Sequence, residues 1–142
     1  MEKTCTNLPY LVLMQTSKAV QDCMRVEMSQ YSLSITEFSV LEVLYKKGKQ
    51  TIHQIGNSIL ISSGTMTYVI DKLEKRNLLS RHACVEDRRV IHVILTDDGK
   101  EMMDKIMPKH QEFVDSMFES LNKEEKELFV KLLKKLNKKV QS

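Results

Sequence analysis

A chain of 142 residues, 42% of them hydrophobic, can bury a core, which excludes a disordered segment; with 6% aromatics and no Trp, that core must be Leu, Ile, Val and Met. The formal net charge of +3 does not by itself imply nucleic acid, because the placement of charge decides. No apolar run approaches the ~20 residues of a membrane span, and the polar start from Met1 to Asn7 lacks the basic-then-apolar build of a signal peptide, so a cytoplasmic location is expected.

The first predicted element is one long helix from about Leu8 to Gln30, with Leu13, Val20, Met24 and Glu27 near helical spacing and Pro9 in the first turn, where a missing amide hydrogen costs little. Ser34-Ile35-Thr36-Glu37 has the form of a capping box, and Phe38, Leu41, Leu44 and Tyr45 follow on one helical face. Gly48, after Lys46 and Lys47, reads as the stop. Thr51 can cap a short helix with the stripe Ile52, Ile55 and Ile59. Ser62 can cap the next helix, which runs to about Arg76 and is ended by Asn77.

Leu78–Cys84 and Val90–Leu95 read as two strands of a hairpin whose tip is the charged stretch Val85 to Arg89. Thr96-Asp97-Asp98-Gly99 opens another helix, acidic in its first turn as the dipole favours. Met103, Ile106, His110, Phe113, Met117 and Leu121 keep its spacing, and Pro108 should kink it. Asn122 with Glu125 resembles a second capping box. Leu128, Leu132, Leu136 and Val140 carry a final lysine-rich helix.

The helix from Ser63 to Arg76 turns ~100° per residue, so Met66, Val69, Ile70 and Leu73 cluster on one side. Gly64, Thr65, Tyr68, Lys72 and Lys75 project from the other, and Thr67 adds a further hydroxyl. That outer side is small and hydrogen-bonding at its start and cationic at its end. A helix laid in the major groove needs this order: early residues meet base edges and later lysines meet phosphates. Ser62, Ser63 and the open amides of the first turn can hold a phosphate. Taken alone, such a helix is more often simply solvated; the short helix before it and the basic-tipped hairpin after it favour DNA. Arg88 and Arg89 sit where a loop can reach a minor groove. Asp87 would repel phosphate if free, so it should pair with an arginine such as Arg89 or with a backbone amide.

From about Leu33 to Gly99 the sequence resembles the MarR family of bacterial regulators. The resemblance is carried by Asp87-Arg88-Arg89, then after five residues Leu95-Thr96 and Asp97-Asp98-Gly99, and by Ser63-Gly64-Thr65-Met66-Thr67-Tyr68-Val69-Ile70-Asp71-Lys72-Leu73-Glu74, similar to the family's recognition helix. It implies a mainly α fold with a small β-hairpin wing. Residues 33–97 would be the winged helix-turn-helix domain, and 1–32 with 98–142 a helical dimerisation region. It implies Arg89 as the minor-groove arginine with Asp87 organising it, and a similarity to the quinone- and phenol-responsive repressors.

The stripes of the last two helices, widened by Phe129 and Leu133, are more apolar surface than a winged domain of about 65 residues can cover, which points to a homodimer, with an intrachain helix bundle as the alternative. A two-fold dimer predicts a pseudo-palindromic operator on double-stranded DNA. The resemblance further implies a small phenolic or quinone-like effector that binds where dimer helices meet the winged part, near Tyr10, Met14, Phe38 and Tyr45, and releases the DNA. Each of those four also reads as plain core.

Cys5, Cys23 and Cys84 are too few, too scattered and odd in number for a disulfide framework. The stretch Leu8-Pro9-Tyr10-Leu11, where some family members sense oxidants, holds no cysteine; Cys5 lies before it and Cys23 well after it, which leaves Cys23 as a candidate redox residue off the family's pattern. His82 and Cys84 share a strand face and His92 lies across, although chance alternation explains this better than a metal site; no metal or cofactor is expected. His53 and His110 read as ordinary helix residues. No glycine-rich phosphate loop and no nucleophile–base pair suggest an enzyme. A protein-interaction module on a winged scaffold is the remaining alternative.

Overall fold

The computed structural model describes residues 6–59 and 63–142, with Ser63 described by its backbone alone. The elements are α1 (Leu8–Ser29), α2 (Ile35–Lys47), β1 (Gln50–Thr51), α3 (Ile52–Ile59), α4 (Ser63–Lys75), β2 (Leu79–Ala83), β3 (Ile91–Leu95), α5 (Asp97–Met117) and α6 (Lys123–Gln141). Two compact units emerge, Met1–Met103 and Asp104–Ser142. No helix among the described residues is long and apolar enough to cross a membrane.

Local chemistry explains most boundaries. Asn7 accepts from the Tyr10 amide at the start of α1. Ser34 and Glu37 exchange bonds across the first turn of α2, and Asn122 and Glu125 do the same for α6; both capping boxes are complete. Gly48 ends α2 at φ 73° and ψ −149°, a conformation that a side chain would strain.

Two further helix ends use left-handed residues that are not glycine, Ser32 at φ 55° and Asn77 at φ 60°. After α1 the Leu33 amide reaches the Met28 carbonyl while Ser32 reaches Ser29; after α4 Leu78 reaches Leu73 while Asn77 reaches Glu74. These are paired Schellman closures, each sealed by buried apolar residues, Met28 with Leu33 and Leu73 with Leu78.

The sheet has three antiparallel strands in the order β1-β3-β2. The hairpin register pairs Leu79 with Leu95, Arg81 with Val93 and His82 with His92. The two-strand reading missed β1, which adds Gln50 and Thr51 opposite Val93 and His92. A two-residue strand has no alternation to read. Thr51 also keeps its expected capping role, since its hydroxyl accepts from the Gln54 amide while Gln54 accepts from the Thr51 amide. β2 starts one residue later than predicted because the Leu78 amide is spent closing α4.

The core of the first unit is aliphatic, as composition required: Met28, Val40, Leu41, Ile55, Met66, Ile70, Leu73, Leu79, Val93 and Met103 are fully buried. At ~25 cal/mol per Å² of apolar surface removed from water, such side chains are the main stabilising contribution. Pro108 lies inside α5 without ending it: the helix is continuous from Asp97 to Met117. In the second unit the Phe118 and Phe129 rings stand 6.0 Å apart at 59°, which ties the start of α6 to the turn before it.

Candidate nucleic-acid interface

Met66, Val69, Ile70 and Leu73 turn α4 inward and are buried. The opposite side is left to solvent: Thr65, Thr67, Lys72 and Lys75 are exposed, and Tyr68 keeps 64% of its surface. Lys72 Nζ lies 5.6 Å from the centre of the Tyr68 ring, so cation–π attraction holds the ammonium along the exposed side, one turn beyond the tyrosine. Ser63 is the first residue of α4; Ser62 lies outside the described residues.

A strand holds α4 in orientation through an arginine that the sequence reading did not single out. Arg81 of β2 donates to Glu74 from Nε at 3.2 Å and Nη2 at 2.9 Å, and Nη2 also lies 2.8 Å from Asp71. The Arg81 amide donates to Glu74 as well. These side-chain and backbone hydrogen bonds from Arg81 hold the Glu74 carboxyl below its usual range. Arg76 is a second unforeseen anchor: its guanidinium donates to the Ser32 and Tyr31 carbonyls at 2.7 and 3.2 Å, fastening the end of α4 to the turn after α1. No local spacing could have revealed partners this far apart in the chain.

At the wing tip, Asp87 and Arg89 meet as the charges suggested. Asp87 accepts from the Arg89 amide and Nε, both at 3.1 Å, and from Nη2 at 3.3 Å. The Arg89 side-chain hydrogen bond is the largest cause that lowers the Asp87 pKa, with the backbone bond second. The Val90 amide closes the turn on the Asp87 carbonyl. The side chain of Arg89 is 90% exposed, so one face of the guanidinium is positioned while the rest points into water. Arg88 is also exposed.

Among the described residues of one chain, the side chains expected near an effector lie in different surroundings. Phe38 is sealed in the core, while Tyr10 and Met14 are exposed on α1. Tyr45 lines a cavity of about 480 Å³ with Leu44, Gly48, Lys49, Ile94, Leu95 and Lys100. Cys23 is exposed. His82 and His92 do face each other in register, beside Cys84, in another cavity with Lys49 and Glu86. Among the described residues, however, no group of three His, Cys, Asp or Glu is placed to hold a metal ion.

A family profile described as "MarR family" matches residues 33–91. The HTH-type transcriptional regulator MhqR of Bacillus subtilis (strain 168) is 40% identical over 127 residues, covering 89% of this chain and 88% of MhqR. Among solved structures, AbsC, a MarR family transcriptional regulator from Streptomyces coelicolor, matches with a TM-score of 0.88 over 99% of both chains at 20% identity. The MepR–DNA complex of S. aureus matches with a TM-score of 0.82, covering 92% of this chain and 96% of that one at 21% identity. At these identities the structural matches show the fold, a winged helix-turn-helix.

Proposed function

The chain belongs to the MarR family of DNA-binding transcription regulators, which are not enzymes, and from that premise we propose that it is an effector-released repressor acting as a homodimer on a pseudo-palindromic operator. In this reading the winged part is residues 33–97, and residues 1–32 with 98–142 interlock with a second chain. One observation carries the DNA-binding surface: α4 is sealed on its inner side and open along Thr65, Thr67, Tyr68, Lys72 and Lys75. Ser62, Ser63 and those residues address the major groove, while Arg89, held by Asp87, enters the minor groove with Arg88 beside it.

The dimer is supported by unburied apolar side chains on both terminal helices. On α1, Leu8, Tyr10, Val12 and Met14 are about half exposed or more; α6 has no buried residue at all, with Leu128 and Leu132 each 54% exposed. A second copy is the simplest cover for such surface. Two recognition helices would then meet half-sites about one helical turn apart.

For the effector, the cavity at Tyr45 combines an aromatic ring, aliphatic walls and the cations Lys49 and Lys100, a chemistry suited to an ionised phenol or a quinone. Such a ligand releases DNA only by binding the two dimer arrangements unequally. The test is to select bound sites from genomic DNA, then measure affinity against salt for wild type and Arg89→Ala. The variant should bind more weakly, with its log–log salt slope shallower by about 0.9 per chain. An unchanged slope removes Arg89 from the interface, and failure to bind any duplex at low salt refutes the proposal.

A further inference from the structure

Between the start of α3 and the base of the wing lies a cavity of about 410 Å³ lined by Thr51, Ile52, His53, Arg89, Val90 and Ile91. No carboxylate is among its lining residues, and the acid closest in sequence, Asp87, is engaged by Arg89. His53 is exposed, and its ring is oriented by Asn57 one turn on, whose Nδ2 lies 3.1 Å from Nε2. With that amide donating, Nε2 accepts and the ring proton sits on Nδ1, free to serve as a donor. The backbone beneath is firm: Thr51 and Gln54 cap each other, and Thr51 pairs with His92 of β3. The result is an acid-free notch offering one permanent cation and one ring N–H donor, which is chemistry for a phosphate.

A duplex supplies that phosphate from a fixed direction. The minor groove is only about 6 Å wide and has a phosphodiester strand along each edge. An arginine that enters it brings one strand over the surface at the arginine's own base. For Arg89 that surface is this notch.

We propose that the notch between α3 and the wing seats a backbone phosphodiester of the bound operator, with His53 donating to it from Nδ1 beside the Arg89 guanidinium. This rests on the DNA-binding reading above.

The experiment is an anisotropy titration of the full chain with a labelled operator duplex, at fixed pH and ionic strength, for wild type and His53→Ala. Wild type should bind several-fold more tightly than His53→Ala. Replacing single phosphodiesters beside the minor groove by uncharged methylphosphonate should find one position that weakens wild type several-fold and His53→Ala little. Asn57→Ala, which keeps the imidazole but frees it to rotate, should fall between the two and guards against a folding defect in the histidine variant. The inference is overturned if His53→Ala binds the operator as tightly as wild type, or if no methylphosphonate position distinguishes the two. In either case specific binding would leave the DNA-binding assignment standing.

Discussion

Replacing Gly99 by alanine should unfasten the junction between the wing and α5. A Cβ built at Gly99 falls 1.9 Å from the Leu78 carbonyl oxygen and 2.9 Å from its carbon, so backbone must move by about 1 Å or more to admit it. The clash lies where several bonds converge. The Thr96 amide donates to the Leu78 carbonyl at 3.2 Å, the Thr96 hydroxyl to the Asn77 carbonyl at 2.6 Å, and Asn77 Nδ2 to Asp98 at 2.9 Å. At about 1 kcal/mol net each, their loss would cost roughly 3 kcal/mol, comparable to the upper end for overpacking a tight site. For a chain of this size that lowers the melting temperature by about 6–12 °C.

Two other glycines provide the comparison. Gly48→Ala meets no atom within 4 Å but keeps a positive φ, so it should cost about 1–3 kcal/mol through strain alone. Gly64→Ala meets open space on a helix with an ordinary φ and should stabilise by about 0.4–1 kcal/mol. Circular-dichroism melts at one protein concentration, held fixed because association raises apparent stability, measure all three. A Gly99→Ala protein melting within a degree or two of wild type would refute the reasoning, as would a Gly64 variant less stable than the Gly99 one.

Arg81→Met should destabilise by no more than about 1 kcal/mol, because Arg81, Asp71 and Glu74 are each a third or more exposed. Glu74 has a lowered pKa in the folded chain, so its contribution is present above the unfolded carboxyl value, near 4.3, and is lost as pH falls through the folded value. Wild type should therefore lose stability on acidification below about pH 4.5 more steeply than Arg81→Met, as read by urea melts across pH; parallel curves would exclude the linkage. Leu128→Glu with Leu132→Glu should shift the chain toward monomer in sedimentation and weaken operator binding, whereas an unchanged sedimentation coefficient would remove the exposed side of α6 from the dimer. Replacing Cys5, Cys23 and Cys84 together by Ser should leave quinone- or phenol-induced release intact in gel shifts; loss of the response would move sensing from a cavity to a thiol.

What could be read from the sequence was mostly local. The capping boxes at Ser34–Glu37 and Asn122–Glu125 involve residues three apart, so their pattern and their geometry coincide. The inward and outward sides of α4 follow from helical periodicity. Asp87 and Arg89 lie two residues apart, and their mutual attraction needed no fold to predict it. The hidden parts depend on distance along the chain. Arg76 finds its carbonyls 44 and 45 residues away, and Arg81 finds two acids on α4 only once the chain has reversed at Asn77 and Leu78. β1 is too short to carry a period. The four aromatic or soft residues expected around an effector share a chemistry but not a place, because hydrophobic spacing says that Phe38 points inward without saying which cavity Tyr45 lines.

The guanidinium of Arg76 has a mechanical consequence. By gripping the carbonyls of Tyr31 and Ser32 it works as a tie rod from the bend after α1 to the far end of α4. Strain that rotates α1 would reach α4 at its C-terminal end, the end away from Thr65, which the proposed reading aims at base edges. Cutting the rod would loosen the two helices without touching any residue proposed to meet DNA.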